Sequence, residues 1–453
     1  MLSTKKPTPQ LGLFLAIEDQ VDQKHPLYLL SHKINWSLFE DAFKKHYSEK
    51  MGKPAKPIRL MVSLLILKHL RNLSDENLVE QWAENIYFQY FGGEQHFQPN
   101  IPCVPTELIA FRQRIGEEGV ELILKESIRV NAPNDKSNHG EVVSVDTTVH
   151  EKNITYPTDD KLYKKIIKKC WKIADKDLID LRQSYIRVVK ELSTKQRFKS
   201  TKHGAKAARK ASKKIKIIAG RLVRELERKL TPESLSHYST SLQLFKRILA
   251  QKRSDSNKVY SIHEPEVKCY SKGKEHKKFE FGSKASIVID QTSGVIMGAC
   301  NFSETVHDSK TLPGALDQFE RLNDKQPKEV FVDRGYRGIK QYKESQIFVP
   351  TPNKNITTKQ RKKHSRRAAI EPTIGHLKLD HRLYRNYLKG VIGDSINLIL
   401  AAAAMNFKRR INLWRTEAIR RWLLIYRMVI GAYWNFFAQN LKPTFEGRLF
   451  RNP

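Results

Sequence analysis

Two short apolar stretches in this chain each end in an aspartate. In Glu141-Val-Val-Ser-Val-Asp-Thr-Thr-Val149, Val142, Val143, Val145 and Val149 are β-branched and bounded by polar residues, the pattern of a buried strand. Asp146 sits near the end of that run. Glu329-Val-Phe-Val-Asp333 repeats the pattern and leads into a turn-like stretch, Arg334-Gly-Tyr-Arg-Gly338. Burying a lone carboxylate is costly, so each should be exposed, paired or metal-bound. Taken singly, each aspartate reads as a strand-end residue capping the next turn. Taken together they suggest more. If the two strands are neighbours in one sheet, their carboxylates meet, and charges that close repel unless cations lie between them. That geometry predicts a divalent-metal site.

A third acid follows a basic run, Lys359-Gln-Arg-Lys-Lys-His-Ser-Arg-Arg367. It is Glu371, with Lys378 seven positions on, two turns along one helix face. Pro372 cannot continue a helix interior, which puts Glu371 at or just before the first turn. Locally, a glutamate favoured by the helix dipole would explain the position equally well.

Composition says what such a site would act on. The chain has 453 residues, 82 Lys and Arg against 48 Asp and Glu, and a formal charge of +34. With 40% hydrophobic residues it is a folded protein of two or three domains and not a basic tail. An excess this large calls for a polyanion, and nucleic acid is the natural partner. Cys103, Cys170, Cys269 and Cys300 are far apart, which argues against a zinc site and against a disulfide framework. The N-terminus lacks the apolar core of a signal peptide, and a reducing cytoplasm is expected.

The elements that would position the acids can be read along the chain. After a short apolar run, Leu11 to Ile17, helices are expected from about Trp36 to Leu124. Ile58 to Leu70 is a strong, mostly buried helix behind Pro57. Ser74 can cap the next, with Leu78 and Trp82 on one face, and Thr106 can cap a third over Glu107 to Ile115. That third helix carries Arg112 and Arg114, which makes a helix-turn-helix-like DNA reader and a plain helical bundle equally open readings. Trp82, Tyr87, Phe88, Tyr90 and Phe91 read as core. From about Lys161 to Lys258 the chain turns strongly basic, about 29 Lys and Arg against about 8 Asp and Glu. Apolar residues at 3–4 spacing predict a pair of long amphipathic helices joined around Ser200 to Gly204, inserted into a sheet domain. Their polar face can lie along a phosphate backbone, or be a solvated hairpin or coiled coil. Beyond it come a hairpin around Gln291 to Gly294, a helix from His307-Asp308 to about Leu322, the Asp333 strand, a helix near Ile339 to Glu344, and a strand at Gln346 to Pro350. His307 and Asp308 read as supporting the acids, as touching DNA or, the favoured reading, with the Asp as a helix N-cap. The sum is a mixed α/β sheet with helices on both faces.

These residues resemble a bacterial insertion-sequence transposase of the DDE type. The resemblance rests on Val145-Asp-Thr-Thr148, Tyr156-Pro-Thr-Asp159, Val332-Asp-Arg-Gly-Tyr336 and the Glu371 region. The family signature around the catalytic glutamate is Tyr-x2-Arg-x3-Glu-x6-Lys, and His364, Arg367, Glu371 and Lys378 keep that spacing with His in place of Tyr. Asn386 to Gly390, Gly393 to Asn397 and Ala401 to Phe407 resemble the helix that follows in relatives.

The resemblance implies an RNase H-like catalytic domain that cuts DNA at the element's inverted repeats and joins it to target DNA. It implies Asp146, Asp333 and Glu371 as ligands of two Mg²⁺ ions, for which Mn²⁺ can substitute. Arg367 and Lys378 would hold phosphates, and His364, Arg334, Arg112 and Arg114 are further candidates for DNA contact. The expected organisation is an N-terminal helical DNA-binding or dimerisation domain over 1–135, a catalytic domain over 136–410 with its insertion at about 161–260, and a C-terminal helical segment over 411–453. The active complex is expected to be a homodimer at the nucleoid. A metal-dependent nuclease or resolvase without strand transfer is the alternative, as is a non-catalytic DNA-binding derivative. Trp422 to Ala438 is apolar but contains Arg427 and Asn435, so a docking helix is expected there and not a membrane span.

Overall fold

The computed structural model describes residues 16–48, 54–132, 139–252, 254–271, 277–350 and 357–440, the last six and Lys359 by backbone alone. Most of the run from Leu11 to Ile17 therefore lies outside the described residues. The chain divides into two compact units. One comprises Met1–Arg114, Lys125–Asn134 and Ala403–Pro453, the other Ile115–Leu124 and Asp135–Ala402.

The first unit is helical. Its helices are α1 (Ile17–Gln20), α2 (Pro26–Lys33), α3 (Trp36–Phe43), α4 (Ile58–Leu70), α5 (Asp75–Glu84), α6 (Ile86–Gly92) and most of α7 (Pro105–Asn131). The unbroken apolar run of α4 buries every residue from Leu60 to Leu70, so it is the core that the others surround. The Ser74 hydroxyl accepts the Asn77 amide and starts α5, as expected from sequence. Thr106 does not cap α7. Pro105 takes the first turn, where its missing N–H costs nothing, and the Glu107 carboxylate accepts the Val104 amide at 3.0 Å. Nor does the helix stop at Ile115: it runs to Asn131 across a kink at Gly116, whose φ of 60° suits glycine. Trp82, Phe88 and Phe91 are buried, as read from sequence, while Tyr87 and Tyr90 are half-buried.

The second unit is built on a seven-stranded sheet. Strand β1 (Val142–Glu151) is followed by four helices, α8 (Asp159–Lys176), α9 (Ile186–Arg197), α10 (Gly204–Lys229) and α11 (Pro232–Ala250). Then come β2 (Lys268–Ser271), β3 (Phe279–Asp290), β4 (Ile296–Phe302), α12 (Asp308–Asn323), β5 (Glu329–Phe331), β6 (Gln341–Tyr342), β7 (Ser345–Phe348), α13 (Thr358–Arg367) and α14 (Ile370–Asp380). Helix α15 (Gly390–Asn440) ends the described chain. The strand order is β2-β3-β1-β5-β7-β6, with β4 also on β3. Strand β3 runs antiparallel to β1, while β1, β5 and β7 are parallel.

Two expectations need correction here. The insertion holds four helices and not two, and they enclose an apolar core of their own that includes Ile166, Cys170, Ile215, Leu222 and Phe245. Left-handed residues Leu178 and Tyr185 break the first half, and Thr231-Pro232 breaks the second. No helix forms at Ile339 to Glu344. Gly338 (φ 103°) and Lys343 (φ 48°) turn the chain there, and β6 and β7 form a hairpin. Among the described residues one helix, Gly390–Trp434, is long and apolar enough to cross a membrane; one apolar window of it is 78% buried within the protein, but Trp422 to Trp434 is exposed, so the docking expected there is not made within this chain.

Candidate active site

The sheet register decides which acids meet. Strand β1 pairs with β5 in parallel, Val142 with Glu329 and Ser144 with Phe331. Two residues beyond that pairing stand Asp146, within β1, and Asp333, past the end of β5, so the same register leads both chains toward one region. Asp333 lies just past β5 and caps the tight turn Arg334–Tyr336 by accepting the Gly335 amide at 2.9 Å. The Asp146 carboxylate accepts the Thr147 amide at 2.7 Å and lies 3.6 Å from the Arg367 guanidinium. Glu371 is in the first turn of α14, as Pro372 requires, and Lys378 is in the last.

Electrostatics ties the three acids together. Burial pushes the Asp146 carboxyl up to about 6, the Thr147 amide opposes it, and the charges of Asp333 and Glu371 add to it while Arg367 relieves it. A carboxylate in this state is short of positive charge. The three donors are all hard oxygen ligands, the kind that divalent cations such as Mg²⁺ take. In donor chemistry alone, the residues fit a divalent metal ion. Among the described residues, however, no three His, Cys, Asp or Glu side chains form a ready-made metal cage. Asp146 and Asp333 are instead turned onto backbone amides.

A fourth carboxylate sits beside them. The sequence favours Asp308 as a helix N-cap, but the cap is His307, whose ring nitrogen accepts the Ser309 amide. This leaves the Asp308 side chain to reach the sheet. It accepts the Thr147 hydroxyl at 2.7 Å and the Lys284 ammonium at 2.8 Å. A Cβ on Gly335 would lie 3.0 Å from both the Asp308 and Asp333 carboxylates. Glycine at 335 is thus what lets the turn pass between the two acids. Sequence reading misses Thr147, Lys284 and Gly335, since only the packing of α12 across β3 and β4 brings them to the aspartates. Thr147 and Gly335 do fall within the Val145-Asp-Thr-Thr148 and Val332-Asp-Arg-Gly-Tyr336 stretches, while Lys284 carries no such signal.

The remaining candidates separate clearly. Arg334 is exposed next to Asp333, and Arg367 is already in contact with Asp146. Lys378 is half-buried, and its charge is felt by the buried His150. His364 packs edge-on against Phe331 of β5, ring centroids 4.9 Å apart, with its Nδ1 buried. It props α13 against the strand that leads to Asp333. The reading of Arg112 is corrected. It is buried and clamps Asp75 with two hydrogen bonds of 2.9 and 2.6 Å, so it is a core ion pair. Arg114 is exposed and lies over the Tyr47 ring at 4.6 Å. Tyr156-Pro-Thr-Asp159 launches α8: the Thr158 hydroxyl caps it, and Asp159 pairs with Lys258 at 3.3 Å.

Comparison with known proteins adds to this geometry. A family described as "Transposase domain (DUF772)" matches residues 15–114, and one described as "Transposase DDE domain" matches residues 239–407. The second span holds Asp308, Asp333, Arg367 and Glu371, while Asp146 lies outside both, cut off by the insertion. The chain is similar to "Uncharacterized protein ORF8 in nfe locus" of Rhizobium meliloti, 39% identical over 179 residues, covering 39% of this chain and 86% of that one. No solved structure matches it.

Proposed function

The chain belongs to the DDE transposases of insertion sequences, and from that premise we propose that it cuts DNA at the ends of its own element and joins the freed 3′ ends to target DNA. The observation that carries the proposal is the paired register of β1 and β5, which aligns Asp146 with Asp333, together with the charge of Glu371 acting on Asp146. The strand order supports an RNase H-like domain: a central strand with an antiparallel neighbour on one side and parallel neighbours on the other.

In this reading Asp146, Asp333 and Glu371 hold two divalent ions, Mg²⁺ or Mn²⁺. When bound, the ions neutralise charge on the phosphate and favour in-line displacement by water or a 3′-OH. The chain's own residues do the rest. Arg367 offsets negative charge at Asp146 and can swing onto a phosphate oxygen once cations take over that role. Lys284, through Asp308, fixes Thr147 and so the backbone that bears Asp146. Exposed Arg334 and half-buried Lys378 hold the flanking strand. Joining two element ends to one target needs two such sites, so the active complex is proposed to be a homodimer acting on the nucleoid in the cytoplasm.

The test is a strand-transfer assay with a labelled element end and Mg²⁺. Wild-type protein should give cut ends and joined products. Asp146→Ala, Asp333→Ala and Glu371→Ala should each bind the end and cut it at least about a thousand-fold more slowly, some 4 kcal/mol of lost transition-state stabilisation. Efficient cutting by any of the three would refute the acid assignment. Cut ends that never join target DNA would instead indicate a nuclease.

A further inference from the structure

We propose that one face of α8, carrying Lys165, Lys168, Lys169, Lys172 and Lys176, is a track for the phosphate backbone of the duplex being cut. The inference rests on the proposed DNA-cutting function and gives the inserted helices a role in it. The five lysines recur at spacings of three and four, which puts them on one stripe of the helix. From first to last they span about 16 Å of helix axis, over which one DNA strand presents about five phosphates.

The stripe rims a groove of about 500 Å³ between α8, α11 and the segment after α11. Its floor is apolar, from Ile173, Phe245 and Ile262, and Tyr238 and His263 line the other side. Some lysines elsewhere in the insertion are matched with acids: Lys195 with Glu191, Lys229 with Glu225, Lys246 with Glu227. On the α8 stripe, Lys168, Lys169, Lys172 and Lys176 are exposed, and among the described residues none is ion-paired with a carboxylate. Like charges at these spacings repel along a helix, so the free protein keeps an uncompensated row that a polyanion would neutralise. The nearby carboxylate at the C-terminal end of α8, Asp177, is already held by Ser234 and Tyr238. Duplex DNA is the occupant because α8 starts only a short segment, residues 152–158, after the strand that bears Asp146. In this proposal the flank of a duplex seated at that aspartate runs onto this helix.

The test measures affinity of the full chain for duplex DNA at several salt concentrations, without metal so that nothing is cut. The triple variant Lys168→Ala, Lys169→Ala, Lys172→Ala should flatten the slope of log K against log salt by about 2 to 3, near 0.9 for each phosphate no longer neutralised. It should do so alike on a duplex with the element end and on an unrelated one. A control triple, Lys195→Ala, Lys229→Ala, Lys246→Ala, removes the same charge from the same insertion and should leave the slope nearly as in wild type. The triple Lys168→Arg, Lys169→Arg, Lys172→Arg should keep the wild-type slope, which separates missing charge from misfolding. Equal flattening by the stripe and control triples, or a wild-type slope in the stripe triple, would overturn the proposal. Because no cutting is measured, a failed strand-transfer assay leaves this result standing, and the reverse also holds.

Discussion

Strand β1 leads charge away from solvent at two places that are built in opposite ways, one buried and one half-buried. Just past its end, Lys152 is sealed in: its ammonium meets Asp394 at 2.5 Å, Glu264 at 3.4 Å and the Gly390 carbonyl at 2.9 Å. The acids are saturated in turn, Asp394 by the Asn386 amide and Glu264 by the Gly390 N–H. All three ionic groups are buried. In the middle of the same strand, Asp146 has like charges around it, one arginine at 3.6 Å, and a carboxyl pushed up to about 6 by burial and its neighbours. The first cluster is closed and complete, so it joins the strand to the start of α15 and the segment before β2. The second lacks positive charge, so it has a use for cations. Charge withdrawn from solvent thus marks structure at one point and chemistry at another, and the presence of partners tells them apart.

Breaking the closed cluster should have the largest effect on folding. Lys152→Met would strand two buried carboxylates and cost about 3–5 kcal/mol, read as a drop in the urea or thermal midpoint. Neutralising the open cluster should go the other way. Without divalent cations, Asp146→Asn should stabilise the protein at neutral pH by on the order of 2–3 kcal/mol while abolishing cutting. The sign follows from linkage. A carboxyl raised from its ordinary 3.8 to about 6 contributes stability that is full below pH 4 and lost as pH rises through 6. Wild-type protein should therefore be more stable at pH 5 than at pH 7.5 relative to the Asn variant, and parallel pH–stability profiles would contradict the account. Adding Mg²⁺ at pH 7.5 should raise the wild-type melting temperature, a gain of about 1–2 kcal/mol that Asp146→Asn loses. The smallest effect expected is from Gly335→Ala. Its Cβ would press between Asp308 and Asp333, slowing cutting about tenfold, close to 1.4 kcal/mol, with little change in stability.

Much of the fold is legible in the sequence because its signals are local. The β-branched run of β1, the all-apolar α4, the Ser74 cap and the break at Pro372 each act within a few residues of themselves. Sequence misleads where distant chain intervenes. The insertion shows its amphipathic period but not its breaks, because a single left-handed residue such as Leu178 leaves the apolar pattern unchanged. Arg112 has the look of a DNA-facing side chain, yet Asp75, from another helix, claims it. His364 stands in the right signature position, but its packing against Phe331 could not be read from sequence.

The sequence alone determined the local pieces: two apolar strand segments each leading to an aspartate, a glutamate opening a helix, a basic insertion, and a charge that demands a polyanion. Only the tertiary structure decided that β1 lies beside β5 in a register aligning Asp146 with Asp333, that Lys284 and Asp308 brace Thr147, and that the α8 lysines lack acids opposite. The physical reason is range. Side-chain periodicity and capping are set by neighbours within a turn or strand, whereas strand register and charge pairing depend on which distant segments share one surface.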